Sequence, residues 1–553
     1  MTIYRKTAKQ LVEDIDSAPG RVVTFLTHPE QETTPHSCTR YEWNGDLEDL
    51  LRFCARALKG GSGIKVTFPT NTRLCTPRPL GEWKVWKDRE SRTLDNDSGF
   101  EGDYSLVVKD SIEGNGGILD SMTRMIGYRY WSGLVLDLSN LRPQGTINSN
   151  GLIASGAESF VLIFEGIANY LETGTIENLI KLLGTLNSVM RRGGYKKGII
   201  TSAMSSDCHL IYDYLAVPMI EVDGSHKKGV ILHNSAFDNA LLIEKICDSR
   251  NNESTFIEKY CGKGLAFNVC NGLILGHKAT CLIWRVNLGM CTIEAIRRAF
   301  KQAATKLCEL HTTWRGKVPH LAAYYARLRD DRQIGLDVMG LANLLAIEGV
   351  TYQEFATALE RLLNSDNGSD DEIVYSKAVV IANEIIEGYN DALKVCDEYM
   401  IDRNLPLLDR IFTVEPAQNH CYATVDRLGK TTCRGIFAPT GRVVKRTSDT
   451  QYNKRYFHGN VETDVMVGIE LHEKVCDLWQ QMMNGTGRAH GISQDTWSDT
   501  TAESLKEFMN RPSKTFYYSE KDNFDQRRFL SKTVQEVAVC DVTRKGECLA
   551  CAE

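Results

Sequence analysis

The sequence predicts an α/β protein in which the strands form a barrel and helices complete the fold. Short apolar segments, such as residues 134–138, alternate along the chain with longer segments of helical periodicity, such as residues 292–310. The chain has 553 residues, of which 42% are hydrophobic and 25% charged, so it can bury a large core. A single barrel with insertions reaches this length as one unit.

Composition and charge limit the classes of partner. A net charge of −6 and a pI near 6.1 argue against a broad surface for nucleic acid, although they allow a local basic patch for phosphates. No run of about 18 uncharged apolar residues would cross a membrane. The 17 cysteines, without a secretory signal, indicate reduced thiols. We therefore expect a soluble cytoplasmic protein whose partners are small anions and other proteins.

Periodicity and turn residues place the individual elements. Helices are predicted at 46–58, 160–190, 292–310, 376–400 and 470–483, and strands at 21–26, 64–68, 134–138, 198–203 and 512–518, while residues 282–288 form an apolar run. Gly60, Gly61 and Gly63 follow a helix and precede a strand, the reverse of the order in phosphate-binding loops, so they are predicted to cap the helix. Residues 69–104 are polar and rich in turn signals, which is typical of an insertion.

Two cysteines in the segment 268–281 are the first candidates for chemistry. Cys270 and Cys281 stand eleven positions apart, and Asn268 lies two positions before the first. Zinc sites usually draw their ligands in close pairs, so this spacing does not indicate zinc. Two buried apolar cysteines are the simplest alternative. The chain also carries Cys38 upstream and a terminal Cys548-Leu549-Ala550-Cys551, and an internal dithiol that is consumed in a redox reaction needs such a mobile thiol pair to restore it.

With these residues the chain resembles the catalytic subunit of ribonucleotide reductase, in the compact form carried by marine phages. Asn268-Val269-Cys270 is similar to the Asn-x-Cys-x-Glu loop of that family, Cys281 to its later cysteine, and Ser37-Cys38 to its first. The resemblance implies a ten-stranded α/β barrel with the radical cysteine on a central finger loop. It further implies a short segment 1–35 without an ATP cone, a catalytic barrel 36–520 with an insertion at about 69–133, and a flexible redox-active tail 521–553.

The resemblance also implies a radical reaction that converts ribonucleotides to 2′-deoxyribonucleotides. Cys270 as a thiyl radical would take the 3′ hydrogen, while Cys38 and Cys281 would protonate the leaving 2′-hydroxyl and end as a disulfide. Asn268 would hydrogen-bond the sugar hydroxyls. Gly272 stands where the family has a glutamate that removes the 3′-hydroxyl proton. Another carboxylate, a water molecule, or a slow or altered reaction are the alternatives at this position.

Further binding residues are implied by similar loops, each of which has a structural alternative as a plain turn or surface loop. The expected substrate contacts are Ser37, Ser155, Gly156, Pro416, Ala417, Gln418, Asn419 and His420. The expected contacts for a deoxynucleoside triphosphate or ATP effector of specificity are Asp46, Asp223 and Gly224. Residues 329–345 resemble the start of a helix in the family, where Gly335 and Gly340 would allow close helix contacts.

The radical source has two candidates. Tyr517 and Tyr518, in a Lys-Thr-Phe-Tyr-Tyr context, resemble the tyrosines that receive the radical from a separate ferritin-like metal subunit, although a strand also places one ring inward and one outward for purely structural reasons. Residues 107–114 and the short Cys270 to Cys281 spacing instead resemble monomeric, adenosylcobalamin-dependent reductases. We expect the first, with no cofactor or metal in this chain.

The expected partners follow from the same resemblance. They are a nucleoside diphosphate, a second copy of the chain as a homodimer, and a thioredoxin or glutaredoxin that recharges Cys548 and Cys551; a zinc site is the structural alternative for this cysteine pair. A non-catalytic nucleotide-binding homologue is the alternative that Gly272 motivates.

Overall fold

The structure is a computed structural model. It describes residues 23–26, 38–96, 103–128, 131, 133–147, 153–192, 196–219, 226–364, 376–415, 421–433, 435–439, 461–496 and 499–519. Among the helices in these ranges, none is both long enough and apolar enough to span a membrane.

The described residues form strands and helices throughout. The strands are β1 (Thr24–Leu26), β2 (Cys38–Glu42), β3 (Gly63–Phe68), β4 (Glu82–Trp86), β5 (Tyr104–Val107), β6 (Gly133–Asp137), β7 (Arg191–Arg192), β8 (Lys196–Lys197), β9 (Ile200–Ser205), β10 (Gly229–Leu232), β11 (Phe256–Lys259), β12 (Ala266–Phe267), β13 (Ile274–Leu275), β14 (Thr280–Cys281), β15 (Ile283–Asn287), β16 (Gln333–Met339), β17 (Arg410–Val414), β18 (Cys421–Val425), β19 (Thr431–Thr432), β20 (Ala489–Thr496) and β21 (Thr515–Ser519). The helices are α1 (Leu47–Lys59), α2 (Arg89–Asn96), α3 (Ile118–Gly127), α4 (Ala157–Thr173), α5 (Ile176–Val189), α6 (Ile211–Ala216), α7 (Ala240–Glu253), α8 (Ile296–Lys317), α9 (Pro319–Ala322), α10 (Leu341–Glu348), α11 (Tyr352–Asn364), α12 (Lys377–Asp402), α13 (Asp464–Val467), α14 (Ile469–Gly485) and α15 (Ala502–Asn510).

The largest sheet is built from two sets of parallel strands. Its order is β1-β15-β16-β17-β20-β21-β11-β10-β9-β3-β2-β14. Strands β2, β3, β9, β10 and β11 are parallel to their neighbours, and so are β15, β16, β17, β20 and β21. The two sets meet antiparallel at β11 and β21, and β14 pairs antiparallel with β2. Only Leu282 separates β14 from β15, so the far end of the sheet returns to its start and the sheet is curled.

Helix α1 and strand β3 follow the sequence prediction closely. The Asp46 side chain accepts a hydrogen bond from the Asp49 N–H at the start of α1, as an N-cap does. The Gly60 N–H bonds the Arg56 carbonyl at the other end, which confirms the predicted cap. All six residues of β3 are buried. A strand of a parallel sheet is covered on both faces, which is why the sequence of β3 is short and mostly apolar.

The prediction of a helix start within residues 329–345 is wrong for its first half. Residues Gln333–Met339 form β16, a fully buried strand between the parallel strands β15 and β17, and α10 begins only after Gly340, whose φ is +79°. A side chain at Gly335 would place its Cβ 2.8 Å from Cγ1 of Ile283, so this glycine allows two strands, not two helices, to approach. The predicted helix 160–190 is also divided, because Gly174 adopts a left-handed φ of 61° between α4 and α5.

The segment expected to be an insertion carries a sheet of its own. Strands β4, β6 and β5 pair in this order as a parallel three-stranded sheet that is separate from the curled sheet. Buried residues of β6 and α3 join the main hydrophobic core, so this unit packs on the larger sheet. Most of the predicted segment 1–35 and all of the predicted tail 521–553 lie outside the described residues.

Candidate active site

The candidate site is built on the hairpin of β12 and β13. These strands pair antiparallel, and the tip between them comprises residues 268–273. The Asn268 N–H bonds the Leu273 carbonyl at 2.8 Å, and the Asn271 N–H bonds the Asn268 carbonyl at 3.0 Å. Asn271 has a φ of +55°, a conformation that asparagine tolerates better than most residues. The tight tip therefore presents Cys270 at the end of the hairpin.

Both sets of parallel strands hold this hairpin. The Phe267 N–H donates to Glu258 Oε2 on β11 at 3.1 Å, and the Ile274 N–H donates to His490 Nδ1 on β20 at 2.9 Å. At the tip, the Thr413 hydroxyl of β17 donates to the Gly272 carbonyl at 2.6 Å. Because these partners belong to strands on both sides of the sheet, the hairpin lies within the curl.

The structure brings three predicted cysteines together at the hairpin tip. Cys38 and Cys281 face each other in register on β2 and β14, and they are 4% and 1% exposed. Residues in register on antiparallel strands have Cα atoms about 4.5 to 5.5 Å apart, which lies within the range that a disulfide spans. Cys270 Sγ lies 3.9 Å from Cys38 Sγ, and Cys270 is only half-buried. The sulfur of Cys38 thus lies beside those of two cysteines more than 230 residues later in the chain.

Asn268 links the tip to the thiol pair. Its Oδ1 accepts hydrogen bonds from the N–H groups of Gly272 at 2.9 Å and Leu273 at 3.2 Å, and its Nδ2 donates to Cys281 Sγ at 3.2 Å. Burial raises the pKa of the Cys281 thiol above its usual value, and the nearby Glu415 carboxyl adds to the rise. Hydrogen bonds with Cys38 and Asn268 oppose this effect. Cys281 is therefore a protonated thiol at neutral pH.

A carboxyl group stands where a side chain at position 272 would be. An ideal Cβ on Gly272 would overlap Cγ of Glu415 and lie 2.5 Å from its Oε1. Glu415 follows β17 and is 5% exposed. Its Oε2 accepts a hydrogen bond from Arg285 Nη2 at 3.1 Å. The sequence alone did not single out Glu415.

The Arg285 guanidinium that bonds Glu415 also bonds a second buried carboxyl, that of Asp337. Arg285 and Asp337 are in register on β15 and β16, and Arg285 Nε donates to Asp337 Oδ2 at 2.6 Å. The pKa of Glu415 is raised to about 7, chiefly by burial and also by the charge of Asp337, while the charge of Arg285 and a hydrogen bond with Asn268 limit the rise. Burial also raises the pKa of Asp337, against the influence of Arg285. One guanidinium thus serves two buried carboxyls.

A buried ion pair supports the tip from the other side. Lys65 Nζ lies 2.9 Å from Glu258 Oε2 and also donates to Asn271 Oδ1 at 2.9 Å. Both charged side chains are fully buried. The sequence alone did not single out Lys65, Glu258, Arg285 or Asp337. Lys65, Arg285 and Asp337 are each the one charged residue of a short strand, and Glu258 shares its strand with Lys259. Such a residue is costly to bury without a partner, and this pattern is the signal that would have found them.

Other predicted site residues have contacts elsewhere. The Ser155 hydroxyl donates to the Val189 carbonyl at the end of α5, and Gly156 packs against the backbone of Gln144. Asp46 caps α1. Tyr517 and Tyr518 lie on β21, between β11 and β20. The remaining predicted contacts lie outside the described residues: Ser37, Pro416, Ala417, Gln418, Asn419, His420, Asp223, Gly224, Cys548 and Cys551.

Within the described ranges, no group of three or more His, Cys, Asp or Glu side chains is arranged to hold a metal ion.

Comparisons with known proteins give similarity at the level of three-dimensional structure only. No protein-family model matches the chain, and no curated protein matches it in sequence. One similar solved structure is the Actinobacillus ureae class Id ribonucleotide reductase alpha subunit, with 11% identity, a TM-score of 0.40, and coverage of 75% of this chain and 82% of that chain. Another is the anaerobic ribonucleotide reductase from Thermotoga maritima in complex with dATP and CTP, with 11% identity, a TM-score of 0.35, and coverage of 92% and 81%.

Proposed function

We propose that this chain is the catalytic subunit of a ribonucleotide reductase, acting on ribonucleoside diphosphates. The observation that carries the proposal is the meeting of Cys38, Cys270 and Cys281 at one hairpin tip. The structural alternative for Cys270 and Cys281 is that both are simply buried apolar cysteines. A redox-active pair beside a third, more accessible thiol fits a reaction that needs one hydrogen-atom acceptor and one two-electron donor.

The proposed chemistry divides among the three sulfurs. The Cys270 thiyl radical takes the hydrogen atom from C3′, so an S–H bond forms and a C–H bond breaks. The 2′-hydroxyl leaves as water with a proton from the thiol pair. Cys38 and Cys281 together supply two electrons and two protons and become a disulfide, and Cys270 returns its hydrogen atom to C3′. The sum is one ribonucleotide and two thiols giving one deoxyribonucleotide, one disulfide and water.

The raised pKa of Cys281 supports its role as a proton source. A thiol that stays protonated at neutral pH can donate to the leaving hydroxyl. The register of Cys38 and Cys281 supports closure of the disulfide. Because Cys270 Sγ lies 3.9 Å from Cys38 Sγ, a sugar between them requires the sulfurs to separate, and we propose that the Cys270 side chain rotates when substrate binds.

We also propose that the curled sheet is a closed ten-stranded barrel with the hairpin as its finger loop. Since only Leu282 separates β14 and β15, they can be counted as one strand, and the two parallel sets then comprise ten strands in a ring. The hydrogen bonds of the hairpin to β11, β17 and β20 support its position inside.

The partners remain as the resemblance implies them. We propose that a ferritin-like subunit supplies the radical through Tyr518 and Tyr517, that Cys548 and Cys551 reduce the internal disulfide, and that thioredoxin or glutaredoxin recharges them. A homodimer and a deoxynucleoside triphosphate or ATP effector complete the proposed cytoplasmic system. Direct use of adenosylcobalamin is the second candidate, which the insertion of residues 69–133 favours. A non-catalytic nucleotide-binding homologue is the third, which Gly272 favours.

The proposed function is tested by ribonucleotide reduction with the full chain and dithiothreitol. Radical subunit and adenosylcobalamin are added separately, and deoxyribonucleotide is quantified. We expect product with the radical subunit and none in Cys270→Ser. The matched control is Cys75→Ser, another half-buried cysteine, which should keep wild-type activity. Activity with adenosylcobalamin alone would replace the first candidate by the second, and no product with either source would favour the non-catalytic homologue.

A further inference from the structure

We propose that Glu415, the residue that directly follows β17, is the general base of this reaction and substitutes for a side chain on the finger loop. The inference rests on the function proposed above and names the group that removes the 3′-hydroxyl proton. It selects one of the alternatives that Gly272 left open, namely a carboxylate contributed by another part of the chain.

The first support is steric. The space next to Gly272 is occupied by the Glu415 carboxyl, since an ideal Cβ at position 272 would lie 2.5 Å from Oε1 and 2.8 Å from Cδ. Real Cβ atoms essentially never come within 3.0 Å of another heavy atom. Glycine at position 272 and glutamate at position 415 are therefore complementary. The loop has no side chain at position 272, and the Glu415 carboxyl occupies the space that such a side chain would fill.

The second support is the hydrogen bonding of the carboxyl. Oε2 is held by Arg285, so the orientation of the group is fixed. Oε1 is buried and has no partner with normal hydrogen-bond geometry among the residues that the structure describes, and the Asn268 amide, which donates to Cys281 Sγ, is near enough to lower the pKa of the carboxyl. An unsatisfied buried oxygen is costly, and a catalytic role is one of the explanations for such an atom in a native protein. Because Oε1 is the oxygen nearest the tip of the hairpin, its free lone pairs are available to a substrate hydroxyl beside Cys270.

The third support is the electrostatic setting. Glu415 and Asp337 share the single guanidinium of Arg285, so the second negative charge is poorly compensated. Burial and the Asp337 charge raise the pKa of Glu415 to about 7. A general base works best when its pKa lies near the operating pH, because it is then both deprotonated often enough and basic enough.

The step is a simple proton transfer. After Cys270 has taken the 3′ hydrogen atom, Oε1 of Glu415 takes the proton of the 3′-hydroxyl, and the electron pair of that O–H bond stays on the sugar oxygen. The negative charge that develops there assists the breaking of the 2′ C–O bond, and the leaving oxygen receives its proton from the thiol pair. Glu415 later returns the proton to the 3′ oxygen, so the carboxylate is regenerated and no outside reactant is needed.

The test compares a chain that lacks the carboxyl at position 415 with a chain that carries a carboxyl at position 272 instead. Glu415→Gln keeps the size of the side chain and removes the base, and we expect kcat to fall about 10²- to 10⁴-fold while the Kd for the ribonucleotide stays within a few-fold. The double variant Glu415→Gly with Gly272→Glu returns the carboxyl to the loop. Gly272 lies outside the left-handed region, so a glutamate fits its backbone once residue 415 is small. We expect this variant to regain at least tenfold over Glu415→Gln. Glu309→Gln, on the exposed face of α8, is the matched control and should leave kcat unchanged.

A pH profile separates a base from a structural residue. Wild-type kcat should rise with pH through about 7 as Glu415 loses its proton, and this limb should be absent from the residual activity of Glu415→Gln. A Glu415→Gln protein with kcat within threefold of wild type overturns the inference while leaving the proposed function intact. A wild-type chain that is inactive with every radical source overturns both. If Glu415→Gln does not fold, the double variant decides, since a folded but inactive double variant overturns the inference.

Discussion

Replacement of Lys65 by methionine should strongly destabilise the protein. Lys65 Nζ and Glu258 Oε2 are 2.9 Å apart, and both side chains are fully buried. At an effective dielectric constant of ~20, charges at this distance attract each other by about 6 kcal/mol. Methionine preserves the shape of the side chain but leaves the Glu258 carboxyl with the Phe267 N–H and without its ammonium partner. Removal of one member of a buried pair typically costs about 3 to 5 kcal/mol, and we expect that loss of unfolding free energy at pH 8.

The pH dependence of this loss has a definite sign. Burial already raises the pKa of Glu258 and lowers that of Lys65. Without the ammonium, the Glu258 pKa rises further in the folded protein, so the folded state binds a proton more tightly than the unfolded state. The contribution of Glu258 to the stability of Lys65→Met is therefore largest at low pH and is lost as the pH rises through the folded pKa. The destabilisation relative to wild type should be smaller at pH 6 than at pH 8.

Urea unfolding at pH 6 and pH 8 measures both effects. The control is the double variant Lys65→Met with Glu258→Gln, which removes both charges and should recover at least half of the lost stability. A Lys65→Met protein within about 1 kcal/mol of wild type at pH 8 would refute the reasoning, because the buried charge would then have found another partner.

Three further predictions concern the hairpin and its surroundings. Oxidation of the full chain with diamide should join Cys38 to Cys281, as seen in peptide maps, and a map in which Cys38 never pairs with Cys281 would contradict the register of β2 and β14. Gly272→Ala should lower the free energy of unfolding by about 1 to 3 kcal/mol, because the added Cβ meets Glu415. In a Glu415→Ala background the same substitution should have no effect, and thermal unfolding of the four proteins measures both differences. Burial holds His490 neutral and lowers its pKa well below the usual value, so the free energy of unfolding should decrease as the pH is lowered below about 6.5. The decrease should be smaller in His490→Gln than in wild type. Equal decreases in the two proteins between pH 7 and pH 5, measured by urea titration, would contradict this.

The elements that local chemistry determines were predictable from the sequence. Helix α1 has an apolar stripe, an Asp46 cap and a glycine end, and all of these are visible in a short window of the chain. Residues 333–339 were misassigned because a strand buried on both faces has a continuous apolar sequence, which periodicity does not distinguish from the start of a buried helix. Its strand character comes from β15 and β17, which are distant in sequence.

The candidate site was only partly predictable, because contacts between residues that are distant in sequence also determine it. Cys38, Cys270 and Cys281 were selected through a resemblance in short motifs, and their proximity is a property of the folded sheet. Glu415 was not selected, because its relation to Gly272 is a contact between a loop and a strand that are far apart along the chain. A missing side chain in a motif gives no indication of which residue replaces it until the neighbouring strands are known.

The position of β21 in the sheet has a consequence for synthesis of the protein. This strand, the last one in the described part of the chain, lies between β11 and β20 and pairs with both. On the ribosome, those two strands therefore expose unpaired backbone edges until residues 515–519 have been made. A nascent chain released before Thr515 would carry two such edges, so termination of translation just before this strand should produce a protein that aggregates.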